Sequence, residues 1–157
     1  MEISIDGACR GNGSPGARGA AAAVFGYRSR NHNAFTRILS SWPEPTNQRA
    51  ELTAMILALE NAIEKSRRLA QYLNLVVNIH TDSMYVLNCM NVWIHTWQSN
   101  GWRNSRGGSV LNRDLIIQAH NLLERLEGRG EVNISWIPRG ENGVADRYCN
   151  EALDDAY

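Results

Sequence analysis

The chain has 157 residues, 43% hydrophobic and 20% charged, with sixteen basic and sixteen acidic side chains that cancel. That suits one globular domain over 1–157 with its own core. It leaves no place for a membrane span, which needs ~20 consecutive apolar residues, or for a strongly cationic nucleic-acid-binding tail. The basic residues are all Arg except Lys65. Their planar forks suit phosphate, but equal acid dilutes them. No basic and then apolar leader opens the chain, so no secretory signal is expected. Cys9, Cys89 and Cys149 are widely spaced without a CxxC pair, so zinc is not expected. Free thiols imply a reducing, intracellular setting, with cytoplasm and nucleus both open.

Residues 2–8 (EISIDGA) alternate and predict a strand ending near Asp6. Residues 9–18 are glycine-rich and turn-like. Two more strands are expected over 19–28 and 33–42. Pro43 and Pro45 then break the chain, and Thr46 or Asn47 can cap a helix. Leu52, Met55, Ile56, Leu59 and Ile63 recur at helical spacing, which predicts an amphipathic helix over 47–67. The apolar run 74–81 predicts a buried strand with Asp82 at its end. Residues 83–100 read as one or two short helices with Trp93 and Trp97 on one face, broken at Asn100-Gly101. After a polar loop over 103–110, Leu115 to Leu126 mark another helix that Gly128 and Gly130 end. Val132, Ile134 and Trp136 alternate as a fifth strand, and Ala145, Cys149 and Ala152 suggest a closing helix. This order predicts an α/β layer fold: three antiparallel strands, then right-handed crossovers to two parallel ones. In such sheets, function gathers outside the carboxyl ends of strands.

Four acids occupy such places. Asp6 and Asp82 end strands, Glu51 lies in the first turns of a helix, and Asp146 stands near the start of the last one. Any one of them alone is an ordinary surface acid. Their contexts are DGACRGNG (6–13), TNQRAEL (46–52), TDSMYV (81–86) and ADRYCNEALD (145–154), with WIHTWQSNGWRNSRGGSVLNRDLI (93–116) between. In these motifs the chain resembles the type 1 ribonuclease H family, in its cellular form, nearly end to end. The tryptophan-rich stretch through NGWR to VLNRDL is the most specific part.

The resemblance implies a ribonuclease H-like five-stranded mixed sheet and cleavage of the RNA strand of an RNA–DNA hybrid. It matches Asp6, Glu51, Asp82 and Asp146 to four catalytic, metal-binding carboxylates, with Asp6 touching both of two ions. Four converging carboxylates repel, so their proton affinities rise unless cations neutralise them. Hard oxygen ligands favour Mg²⁺ or Mn²⁺, and two such ions ~4 Å apart suit in-line phosphoryl displacement. The resemblance further matches Gly7, Ala8, Cys9, Gly11, Asn12, Asn47 and Gln48 to readers of the RNA 2′-hydroxyl, the group that separates RNA from DNA. It assigns Tyr85, Trp93 and Ser105 to a deoxyribose channel, and Thr46 and Asn112 to a DNA phosphate pocket. Phosphate contacts carry no sequence information, so cutting should be sequence-independent. Packing is the competing reading for Trp93 and Trp97, and for Trp93 the two roles are compatible.

Two departures stand out. Many relatives carry a histidine-bearing loop before the last helix, whereas IPRGENGVAD (137–146) is about four residues shorter and has none. Catalysis by metals without a histidine assistant follows, with Arg139 or Glu141 as partial substitutes. His80 shares a strand face with Asp82; a hydrogen-bonded strand histidine is the plainer reading. The basic stretch is also thin: Arg103, Arg106 and Arg113 only, with Glu44 and Pro45 where the phosphate pocket usually adds an Arg. Fewer phosphate contacts mean a shallower salt slope and a higher KM than in lysine-rich relatives. Three alternatives remain: a silent hybrid-binding module, a domain cut from a retroelement reverse transcriptase, and an integrase-like or resolvase-like DNA nuclease. The 2′-hydroxyl readers argue against the last. A monomer suffices for this chemistry.

Overall fold

A computed structural model describes residues 1–69 and 74–156. Their five strands form one sheet in the order β3-β2-β1-β4-β5. β1 (Glu2–Arg10), β2 (Arg18–Phe25) and β3 (Asn33–Ile38) are an antiparallel meander. β4 (Val76–Thr81) and β5 (Glu131–Trp136) continue it in parallel. This is the predicted mixed sheet. Parallel neighbours need crossovers, and helices supply them. α1 (Asn47–Ser66) leads to β4, and α5 (Gly143–Ala156) closes the chain. Between β4 and β5 run α2 (Met84–Asn88), a π-helical turn (Cys89–Trp93), α3 (Ile94–Asn100) and α4 (Arg113–Glu127).

α1 lies on β1 and β2 with α4 beside it, whereas α5 packs against β1, β2 and β3. The run Ala20–Ala23 on β2 is fully buried, and such small side chains let helices approach a strand closely. Ile3, Ile5, Leu52, Met55, Leu59, Ile79, Ile116 and Leu126 fill the main core. α1 is less one-sided than its spacing predicts, because every residue from Leu52 to Leu59 is buried. The sheet, α4 and α2 surround that stretch.

Three elements differ from expectation. β1 does not end near Asp6 but runs to Arg10, because its ladder with β2 continues from Asp6↔Ala22 to Arg10↔Arg18. What ends near Asp6 is the other neighbour: β4 pairs with β1 only as far as Ile5↔Thr81. Asp6 therefore emerges where the parallel strand stops. The third strand ends at Ile38 rather than 42, with one further bond from the Leu39 N–H to the Gly19 carbonyl at 2.9 Å. Pro43 and Pro45 follow, and proline has no N–H for a ladder. Residues 84–100 form consecutive helical segments with a π turn inside. Gly101, left-handed at φ 75°, ends them.

Candidate active site

The β4 end that frees Asp6 from the parallel ladder also sets Asp82 beside it. Thr81, the last β4 residue, accepts the Ser83 N–H on its hydroxyl at 3.0 Å. Ser83 in turn caps α2 by accepting the Val86 N–H at 3.2 Å. Asp82 is the corner between these two bonds, and Trp136 on β5 donates its indole N–H to the Asp82 carbonyl at 3.1 Å.

Glu51 arrives from α1. Thr46 is the cap, its hydroxyl accepting the Arg49 N–H at 3.1 Å, so Glu51 falls within the first two turns. Gly7 permits the close approach. A Cβ there would collide with the backbone of Ala50 and Glu51. Carboxylate oxygens of Asp6, Glu51 and Asp82 consequently lie within 4.8 Å of one another and could hold a metal ion. Asp146 stands outside that tight group but lines the same cleft. Its helix is fastened to β1. Asn142, 1% exposed, donates to the Ile5 carbonyl at 2.8 Å and accepts the Asp146 N–H at 3.1 Å. Cys149 directs its thiol at the Asp6 carbonyl, 3.1 Å away.

Burial and mutual repulsion show in the proton affinities. Asp6 is pushed up to about 7, first by burial and then by the charges of Asp82 and Asp146. Glu51 is raised well above the carboxylate range, first by burial and then by Asp6 and Asp82. The Glu51 and Asp6 side chains hydrogen-bond each other, while the buried Glu51 Oε2 has no hydrogen-bond partner. The Cys149 thiol is also raised, by burial and then by Asp6. A divalent cation fits this set of hard oxygens: it would offset their mutual repulsion and give the orphaned Oε2 a partner.

The cleft has a volume of about 560 Å³. Gly7, Ala8, Cys9, Asn47 and Gln48 line one side of it, together with Ser83, Met84 and Arg139. Among the described residues lining it, Arg139 is the one cation, with its Nε 3.9 Å from Asp82. Of the seven expected 2′-hydroxyl readers, five border this cleft. Asn12 does not; its side chain accepts the Asn47 N–H at 2.8 Å and it lines a neighbouring cleft. Gly11 sits in the turn after β1 with φ 72°. His80 is placed as the plainer reading has it. Its ring bonds Glu2 at 2.7 Å and Ser135 at 3.0 Å and meets the Tyr27 edge, away from the residues that line the cleft.

The expected DNA-side residues fall into two groups. Tyr85 and Trp93 meet with ring centroids 6.1 Å apart, and the Tyr85 hydroxyl accepts the Asn112 amide at 3.0 Å. Burial pushes that hydroxyl up to about 12. Thr46 and Asn112 line the neighbouring cleft together. Ser105 is not gathered with them; it lies exposed in the loop whose one bridge is Arg103↔Ser109. That loop absorbs its own charge: Arg103 donates to the Gly107 carbonyl at 3.0 Å, and Arg113 stacks over Trp102. Trp93, Trp97 and Trp102 form a row with centroids 5.8 and 6.0 Å apart. Trp97 and Trp102 pack on the core, whereas Trp93 is 39% exposed.

A mixed sheet in the order β3-β2-β1-β4-β5, with an acidic cleft where β1 and β4 part, defines a ribonuclease H-like protein. The chain belongs to the RNase H family, whose model matches residues 1–156. It is 38% identical over 155 residues to a ribonuclease H of Syntrophotalea carbinolica, covering 99% of this chain and 86% of that one. It is 35% identical over 158 residues to a ribonuclease H of Erythrobacter litoralis, covering 98% and 96%. Among solved structures it resembles the RNase H1 of Halobacterium salinarum, at 26% identity and TM-score 0.63, covering 98% and 97%. The fold also matches LC11-RNase H1, crystallised with an RNA/DNA hybrid, at 24% identity and TM-score 0.69, covering 99% and 97%.

Sequence reasoning passed over Arg49, Asp114, Asn142 and Cys149. Each acts through a bond to a residue far away in the chain. Arg49, Asp114 and Cys149 at least stand inside the recognised motifs, whereas Asn142 lies in the 137–146 segment that departs from them.

Proposed function

We propose that residues 1–157 act as one ribonuclease H domain. It cuts the RNA strand of RNA–DNA hybrids without reading sequence, using Mg²⁺ or Mn²⁺ held by Asp6, Glu51, Asp82 and Asp146. One observation carries this reading: three carboxylates within 4.8 Å, one with an orphaned buried oxygen, on an open cleft. Two bound divalent ions would activate a water and offset charge on the leaving 3′-oxygen. The protein's own part is to hold and shape. Asp6 comes from β1 where its pairing with β4 stops, Asp82 from the end of β4, Glu51 from a capped helix, and Asp146 from a helix pinned to β1 by Asn142 and Cys149.

Beside the acids, the Gly7–Cys9 backbone with Asn47 and Gln48 meets the RNA sugar edge. Thr46, Asn112, Tyr85 and Trp93 meet the DNA strand, and Asn12 acts indirectly by fixing the Asn47 backbone. Arg139, 90% exposed at the rim, can pair with an RNA phosphate once cations occupy the acids. The test is a labelled hybrid incubated with Mg²⁺, Mn²⁺ or chelator, beside the Asp82→Asn variant. Metal-dependent cutting of the RNA strand alone, lost in the variant, is expected. Binding without cutting under either metal would leave a hybrid-binding module instead.

A further inference from the structure

A second cleft, of about 620 Å³, adjoins the first and shares Asn47 and Gln48 with it. Thr46 and Asn112 line it, the two residues assigned above to a DNA phosphate. By sequence this pocket lacks its cation, because Glu44 and Pro45 stand where an Arg is expected. The folded chain nevertheless brings an Arg to the same wall. Arg49, one turn into α1, lines the cleft with its side chain only 13% exposed.

Three bonds fix its direction. Arg49 donates to both oxygens of Asp114 at 3.0 and 2.8 Å, and to the Asn112 side-chain oxygen at 3.3 Å. Asn112 is itself 7% exposed, left-handed at φ 62°, and passes its amide hydrogen to Tyr85 at 3.0 Å. A guanidinium has five N–H donors in a fixed plane. These bonds use three of them and leave two. The Thr46 hydroxyl accepts the Arg49 N–H and keeps its own proton to donate. A second Asn112 amide hydrogen is likewise uncommitted. Three residues with spare donors, one of them a cation, therefore line one cleft, a set that suits an anion.

Resting on the reading that this protein binds hybrids, we propose that Arg49 is the cation of the DNA phosphate pocket. It replaces the Arg missing before Thr46, and Asp114 orients its fork while weakening its charge. The charge that Asp114 offsets outweighs the orientation it gives, so Asp114 acts as a net brake on binding. A plain structural clamp between α1 and α4 would behave in the opposite way, because either half would be needed equally.

The experiment measures hybrid binding in chelator, so that no strand is cut, across a series of salt concentrations. Wild type, Arg49→Gln, Arg49→Lys and Asp114→Asn are compared, with melting temperatures taken alongside. Arg49→Gln should weaken binding about tenfold at low salt and flatten the log–log salt slope by about one. Arg49→Lys should keep the slope while losing part of the affinity, because a point charge lacks the fork. Asp114→Asn should tighten binding several-fold. A wild-type arm needs no folded variant: a neutral methylphosphonate, walked along the DNA strand, should weaken binding at one position. That position should matter much less to Arg49→Lys.

An unchanged slope in Arg49→Gln would overturn the proposal. So would Asp114→Asn weakening binding as much as Arg49→Gln does. If wild type binds and cuts hybrid while every methylphosphonate is tolerated, this assignment alone fails. If wild type does not bind hybrid at all, the functional reading fails with it.

Discussion

Removing one carboxylate from the acidic cluster should make the metal-free protein more stable. Asp6 is held at about 7 against a usual 3.8, chiefly by burial and next by the Asp82 charge. The folded state therefore binds the Asp6 proton more tightly than the unfolded state does. Between about pH 4 and pH 7 the folded chain holds more protons, so its stability falls as pH rises through that window. Three pKa units correspond to ~4 kcal/mol of cost when Asp6 is ionised. The part that Asp82 imposes is on the order of 1–2 kcal/mol, since burial is the larger cause. For a chain of this length that corresponds to a rise of ~2–8 °C in Tm. The assay is thermal unfolding of wild type and Asp82→Asn in chelator from pH 4 to pH 9. The variant should melt higher above pH 7, and the gap should close toward pH 4. Adding Mg²⁺ should raise wild type more than the variant, because binding to the folded state stabilises by mass action. A gap that is absent at pH 8, or equal at pH 4 and pH 8, would refute the electrostatic account.

Gly7→Ala should destabilise by ~1–3 kcal/mol as overpacking, and should lower turnover more than hybrid binding, because Glu51 must retreat from Asp6; chemical denaturation and single-turnover kinetics separate the two. Arg139→Ala should leave Tm within about a degree, since an exposed pair contributes ~0–1 kcal/mol, yet should raise KM for hybrid several-fold; an unchanged KM would remove Arg139 from the RNA phosphate. His80→Ala should retain near-wild-type turnover and lose ~1 kcal/mol of stability with its two hydrogen bonds; loss of turnover in a folded, metal-binding variant would put a histidine back into the chemistry. Activity should fall gently with added salt, with a slope set by few phosphate contacts; a steep fall, as in a lysine-rich interface, would contradict that.

The parts of the site that were legible in the sequence are those whose signal is local. Asp82 could be placed because an apolar run ends one residue before it, and Glu51 because Thr46 and the apolar spacing define where its helix starts. The expectation for Asp6 rests on an incomplete reason. The strand does not stop there; its parallel neighbour does, and the length of a partner strand is not written in β1 itself. Tertiary bonds spanning large sequence separations leave still less trace. Arg49 and Asp114 meet across 65 positions, and Asn142 and Ile5 across 137. The Asn142 bond bears on how the last helix is set. A buried amide and a thiol tie that helix to the carbonyls of Ile5 and Asp6. The position of Asp146 relative to Asp6 is thus held by buried atoms of Asn142 and Cys149 rather than by the exposed segment before the helix. Asp146 thereby stays on the cleft that Asp6, Glu51 and Asp82 line.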